Sequence, residues 1–344
     1  MELNLKKFKG VNLRRQEVVA MEPLQEGERL PLVIRPLAED VDIARWVRDH
    51  REPIERHLLT HGALLFRGFG IDSPGEFERF AREICPVLFN ENGEHPRESV
   101  SGNVYTPVFY PAEQKLLWHN ENSFNHAWPS KIMFCCAQPA QEGGATPLVD
   151  SRRVYELLSP EIRSVFEDKQ IMYMRNYEPG LGLGWQTVFQ TDDRDEVERQ
   201  SAESRVEIEW KPDGSLRTRC IRPAVVRHPA SGEMSWFNQA QHWHVSCLDP
   251  ETRASLQALF SDKELPRNCY YGDGSPISDK VMSAVLGVYA SLEVSFPWQR
   301  GDILVVENVL TAHARQPFTG VRKILVAMGD MATFDEVAAN GSRV

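Results

Sequence analysis

The sequence predicts an α+β protein with a mainly β core, carried in one large domain over residues 1–344. Three observations point there. Apolar runs of strand length recur at 63–67, 131–137, 145–149, 206–210, 216–220, 303–307 and 322–328, bounded by Gly, Pro, Asn and Asp. Helical stretches open on Ser and Pro in capping positions. A chain of 344 residues with 42% hydrophobic content can bury a large core, and no internal repeat or low-complexity linker divides it.

In chain order, residues 41–61 are periodic and charged and close on His61-Gly62, predicting helix. Residues 63–67 follow as a compact apolar strand closed by Gly68. In Asp72-Ser73-Pro74 the serine is placed to cap and the proline fits a first turn, with Phe77, Phe80 and Ile84 at helical spacing. Residues 91–110 are polar and contain glycine. Their place just before the densest motif makes them a candidate lid, with His95, Arg97 and Asn103 as candidate substrate contacts; a solvated surface loop is the plainer alternative.

Residues 131–137 predict a buried strand, 138–144 a turn and 145–149 a second strand. Ser159-Pro160-Glu161 begins another helix. Gly180-Leu181-Gly182-Leu183-Gly184 lacks the Lys-Ser/Thr of a phosphate loop and reads as a turn. Residues 191–203 are charged throughout and predict a solvated helical excursion, followed by a hairpin in which 206–210 and 216–220 flank Pro212-Asp213-Gly214. Residues 234–248 are rich in aromatics, amides and histidine. On a strand His242 and His244 would share a face, as a metal pair or as pocket lining beside Asn238. Pro276-Ile277-Ser278 opens a helix over 279–291, and 303–307, a turn at Asn308, His313 and 322–328 close the β core.

The net charge of −10 argues against a nucleic-acid or anionic-membrane surface, which needs a basic patch. Residues 1–16 carry Lys6, Lys7, Lys9, Arg14 and Arg15 without a following apolar segment, and no run is long enough to cross a bilayer. Six cysteines without C-x-x-C spacing read as reduced thiols. A cytoplasmic location is therefore expected.

The stretch 116–150, LLWHNENSFNHAWPSKIMFCCAQPAQEGGATPLVD, carries the chemistry. If 116–121 is extended, His119 and Glu121 point to the same side. A second imidazole from a distant strand would complete a two-histidine, one-carboxylate face with open positions, the arrangement of non-haem Fe(II) oxygenases, and His313 in Thr311-Ala312-His313-Ala314-Arg315 is the candidate. By chance about one His-x-acid match is expected in such a composition. The other match, His50-Arg51-Glu52, falls in a predicted helix, where residues two apart face different directions.

WHNE, EGGATPLVD, WQRGDILVVEN and AHARQPFTGVRKILVAM, in that order, resemble the TauD/TfdA family of Fe(II)- and 2-oxoglutarate-dependent dioxygenases. The resemblance spans about residues 66–328. It implies a double-stranded β-helix, or jelly roll, with flanking helices, and His119, Glu121 and His313 as iron ligands. It also implies Arg322 and Thr146 at the far carboxylate of 2-oxoglutarate, where a planar guanidinium and a hydroxyl suit an anion. Arg315, two residues past His313, would reach the co-substrate or the substrate, a surface ion pair being the alternative. The glutamate, where taurine dioxygenase has aspartate, resembles the clavaminate-synthase-like branch. Residues 103–124 resemble SyrP-like members that hydroxylate amino acids, often tethered to a peptidyl carrier protein.

The resemblance thus implies O2-dependent decarboxylation of 2-oxoglutarate coupled to hydroxylation of an unactivated C–H in an amino-acid-like substrate, in natural-product biosynthesis. Desaturation or other oxidation of a free small acid is the alternative within the class. A zinc hydrolase or a non-catalytic jelly-roll binding module are the alternatives outside it. Substrate contacts are expected from His95, Arg97, Asn103, Asn120, Asn238 and His244.

Overall fold

The computed structural model describes residues 18–89, 99–178 and 182–341. Residues 1–16, His95, Arg97, Gly180 and Leu181, all considered above, lie outside them.

The largest sheet has eight strands in the order Val19–Pro23, Leu32–Pro36, Ala63–Phe66, Ile303–Glu307, Ala127–Gln138, Lys323–Thr333, Val104–Tyr105 and Ser99–Ser101. Neighbours pair antiparallel except Leu32–Pro36 with Ala63–Phe66. Alternation along its central strands separates two cores. Leu64, Phe66, Met133, Cys135, Ile303, Val305 and Leu325 pack on one side against helices Ile43–Asp49, Arg51–His61 and Pro74–Ile84. On the other side Leu65, Ile132, Phe134, Leu304, Val306, Ile324 and Val326 face Leu148, Phe296 and Trp298. Since both faces are apolar, these strands read as continuous hydrophobic runs.

A three-stranded antiparallel sheet, Leu116–His119, Thr311–Arg315 and Leu148–Asp150, stands opposite that inner face, with the His313 and Phe134 rings 5.1 Å apart between the two layers. This is a double-stranded β-helix with helices outside. A four-stranded sheet, Glu207–Trp210, Leu216–Arg222, Ile171–Tyr177 and Arg267–Tyr271, flanks it. The helix Arg194–Glu203, capped by Asp193, and the hairpin after it occupy the predicted excursion.

Several local expectations are corrected. The helix over 41–61 is two helices, broken at His50, whose Nδ1 bonds the Trp46 carbonyl, and closed by Gly62 at φ 76°. The second strand of the motif begins at Leu148 rather than 145, after Gly143 and Gly144, both at positive φ. The strand over 116–121 ends at His119, and Glu121 lies on a turn in which Asn122 takes φ 55°. His242 sits on a short helix, Ala240–Trp243, rather than on a strand with His244.

Candidate metal centre and its cavity

His119 and His313 are directly opposed in the ladder between Leu116–His119 and Thr311–Arg315, which brings their rings to 4.3 Å. Non-local sheet pairing thus sets two residues 194 positions apart side by side. Glu121 reaches the same point from its turn because Asn308 holds its peptide. Asn308 Oδ1 accepts from the Glu121 N–H at 2.6 Å, and Asn308 Nδ2 donates to the Glu121 carbonyl at 2.9 Å. Oε2 of Glu121 then lies 3.7 Å from Nε2 of both His119 and His313.

Those separations are too long for hydrogen bonds. All three candidate ligand atoms nevertheless fall within 4.8 Å of one another, so the three residues could together hold one metal ion. The protonation of His119 fits that use. Its Nδ1 lies 2.9 Å from the Leu117 carbonyl, which can only accept, so Nδ1 carries the proton and Nε2 presents a lone pair to the cluster. The same carbonyl accepts from His242 Nε2 at 2.7 Å, and burial holds the His242 imidazole well below its ordinary pKa.

The cluster opens into a cavity of about 590 Å³ walled by Ile132, Phe134, Ile324 and Val326 of the large sheet, with Arg322 and Thr146 elsewhere in its lining. Arg322 Nε donates to the Gly144 carbonyl at 2.8 Å and Nη2 to Thr146 Oγ1 at 3.3 Å. Trp298 Nε1 donates to the same hydroxyl oxygen at 3.1 Å. With its oxygen accepting two N–H groups, the Thr146 hydroxyl keeps its own proton for a ligand. Among the described residues no carboxylate pairs with Arg322, and burial together with the Arg315 charge pushes its pKa down to about 10, so it is still a cation at neutral pH. The glycine pair makes room for this. A Cβ on Gly143 would stand 2.2 Å from the Pro317 carbonyl oxygen, and one on Gly144 would stand 3.0 Å from Arg322 Cδ.

Other predicted residues are placed elsewhere. Arg315 lines the cavity, but its guanidinium donates to the carbonyls of Tyr110, Pro111 and Gln114, fastening that loop across the opening rather than meeting Thr146. Asn120 Nδ2 donates to Ser151 Oγ and the Asn308 carbonyl, Asn238 bonds Ala224 and Ala240, and Asn103 accepts from Arg82. His244 accepts from Ser246 through Nδ1 and donates to the Ile277 carbonyl through Nε2. None of these four lines the cavity; burying Asn120, Asn238 and His244 favoured internal hydrogen bonds over an open wall, while Asn103 is half-buried beside Arg82. Sequence reasoning missed Asn308, Trp298, Gln239 and Arg267. Asn308 and Trp298 lie within WQRGDILVVEN, so a signal was present for them without a role attached. Gln239 bonds the Asn120 carbonyl at 2.8 Å and lines the cavity.

A family model described as "Taurine catabolism dioxygenase TauD, TfdA family" matches residues 30–328. The chain is 36% identical over 310 residues to the dapdiamide synthesis protein DdaC of Enterobacter agglomerans, covering 90% of this chain and 93% of that one. It is 28% identical over 330 residues to a clavaminate synthase-like protein of Arabidopsis thaliana, covering 88% and 94%. Among solved structures it is similar to PvcB of Pseudomonas aeruginosa, with a TM-score of 0.54, 13% identity and 91% of each chain covered. A second PvcB structure, described as an Fe, alpha-ketoglutarate dependent oxygenase from an isonitrile synthetic pathway, gives 0.52 at 14% identity over 91% and 92%. With its jelly roll, its His-Glu-His cluster and a family match over most of its length, the chain belongs to the TauD/TfdA family of iron- and 2-oxoglutarate-dependent dioxygenases.

Proposed function

We propose that this protein hydroxylates an unactivated C–H bond of an amino acid or amino-acid-derived small molecule in a biosynthetic pathway, with His119, Glu121 and His313 holding Fe(II) and Arg322 and Thr146 anchoring 2-oxoglutarate. One observation carries the reading: a half-buried guanidinium with no carboxylate partner among the described residues shares one cavity with the Thr146 hydroxyl and a three-ligand cluster. A zinc hydrolase would have no task for the anion anchor, and a passive binding module none for either end.

When bound, Fe(II) supplies oxygen activation coupled to decarboxylation of the keto acid. The chain's own part is positioning. Arg322 and the Thr146 hydroxyl fix the far carboxylate of the keto acid, with Trp298 setting the direction of that hydroxyl. Leu117 holds the His119 tautomer, and Asn308 holds the backbone of Glu121. Apolar Ile132, Phe134, Ile324 and Val326 keep the interior dry, which strengthens every charge interaction inside it. Glu121 would supply a carboxylate ligand to the metal, which favours hydroxylation over halogenation.

Anaerobic addition of Fe(II) and 2-oxoglutarate tests the assignment. A weak visible charge-transfer band and, with O2, release of succinate are expected; no band with iron at protein-scale concentration rejects it. The relationship to DdaC, a synthesis protein for dapdiamide, supports a biosynthetic setting. A mass gain of one oxygen atom, sought on free amino acids and on aminoacyl carrier proteins separately, distinguishes free from tethered substrates.

A further inference from the structure

Among the described residues, the charged, imidazole and amide groups on the cavity wall can be assigned one by one, with the Tyr110 hydroxyl beside them. His119, Glu121 and His313 form the cluster, and Arg322 and Thr146 form the anion anchor. Arg315 is bound to three loop carbonyls, and His242 and Gln239 to the carbonyls of Leu117 and Asn120. Arg267 is left over. It begins the strand Arg267–Tyr271 in the flanking sheet, and its side chain is open to the cavity. Among the described residues its guanidinium has neither a hydrogen bond nor an ion pair.

Arg267 is an exposed residue, so water as well as a ligand reaches it. It stands opposite Arg175 in the pairing of Ile171–Tyr177 with Arg267–Tyr271, and like charges directly across a strand pair destabilise it. Among the described residues the only acidic side chain on the cavity wall is Glu121, against three arginines, Arg267, Arg315 and Arg322. An accessible guanidinium on the cavity wall with no protein partner among the described residues has its N–H donors available to an anionic ligand.

We infer that Arg267 is a second anion subsite, separate from the 2-oxoglutarate anchor, and that it receives a free carboxylate of the substrate. This rests on the functional reading above and names a substrate class within it: a small acid whose carboxylate is not masked as an ester or thioester at the end that meets Arg267. The planar fork of five N–H donors suits a carboxylate in two-point contact. The apolar wall of Ile132, Phe134, Phe318, Ile324 and Val326 suits an aliphatic body between that contact and the metal cluster.

The test reads Arg267 directly. Protein loaded with Zn(II) and saturating 2-oxoglutarate is labelled for arginine Nε–H NMR, and the Arg267 signal is identified by its loss in Arg267→Gln. Titration with butyrate is expected to shift that signal saturably, with a dissociation constant on the order of millimolar, as suits so small a ligand. Methyl butyrate and S-butyryl pantetheine are expected to shift it at least tenfold less. An absent butyrate shift, or equal shifts from the acid and its ester, overturns the inference. Arg267→Gln is also expected to leave 2-oxoglutarate affinity within about twofold, whereas Arg322→Ala loses it; a loss in both would merge Arg267 with the co-substrate anchor and overturn a separate subsite. If 2-oxoglutarate fails to bind the wild-type protein while butyrate still shifts Arg267, the functional reading fails and the subsite stands.

Discussion

Asn308 grips Glu121 by its peptide on both sides, accepting from its N–H and donating to its carbonyl, while a further Nδ2 contact at 2.8 Å reaches the Pro129 carbonyl. Asn308 is fully buried, so each of these groups loses its partner if the side chain goes. Asn308→Ala is expected to cost about 1–3 kcal/mol of stability. Metal affinity is expected to fall by roughly 10–100-fold, because the carboxylate arm is no longer held. Titration of Fe(II) or Mn(II) into the folded variant checks this, and wild-type affinity would separate Asn308 from the site.

His313→Ala and Glu121→Ala each remove one of three ligand groups. Substrate-dependent succinate formation is expected to disappear in both, with metal binding weakened at least about 100-fold. Turnover retained in either variant would remove that residue from the ligand set.

Arg322→Ala takes away the cation that donates to Thr146. The apparent requirement for 2-oxoglutarate is expected to rise by roughly 10–150-fold, the equivalent of a charged hydrogen bond at about 1.5–3 kcal/mol. Trp298→Phe keeps the ring and loses the N–H, and a smaller rise in the same direction is expected. Steady-state kinetics with 2-oxoglutarate as the varied substrate decides both.

Far from the chemistry, Arg67 and Asp302 form a buried two-point ion pair at 2.9 and 2.6 Å, joining the end of the strand Ala63–Phe66 to the turn before Ile303–Glu307. Asp302→Ala strands the guanidinium and is expected to destabilise the protein by roughly 3–5 kcal/mol. Chemical denaturation measures it; a loss under 1 kcal/mol would mean that water replaces the carboxylate.

His244 gives a pH dependence. Burial holds its pKa below the ordinary histidine value of 6.5, and its Nδ1 must stay unprotonated to accept from Ser246. Between the folded and unfolded pKa values the unfolded chain binds more protons, so stability is fully present above about pH 6.5 and falls as pH drops through and below it. His244→Asn keeps a cap acceptor without titrating, and its stability is expected to vary less with pH over that window.

Much of the site is written locally and much of it is not. His119, Glu121, the glycine pair and Thr146 lie within one stretch of 28 residues, and their types alone suggest a metal and an anion. The route by which Glu121 arrives is tertiary: the strand stops two residues early, and a side chain from position 308 completes the turn. Asn103, Asn120, Asn238 and His244 look like pocket residues by type. Polar side chains also satisfy buried backbone, and only packing shows which task each performs. Arg267 was unreadable for the opposite reason, since an arginine near a charged stretch looks like surface until the flanking sheet sets it on the cavity wall. The period-two pattern failed at His242 and His244, where four residues of helix replace the strand that the aromatic content suggested.

The opposition of His119 and His313 across a single ladder has a mechanical corollary. Both imidazoles are mounted on one stiff plate, so thermal motion or a nearby mutation carries them as a unit and hardly alters the gap between them. The carboxylate rides on a separate bracket, a turn fastened by side-chain amides instead of a ladder, which makes that bracket the adjustable member of the three and the place where loosening of the assembly would begin.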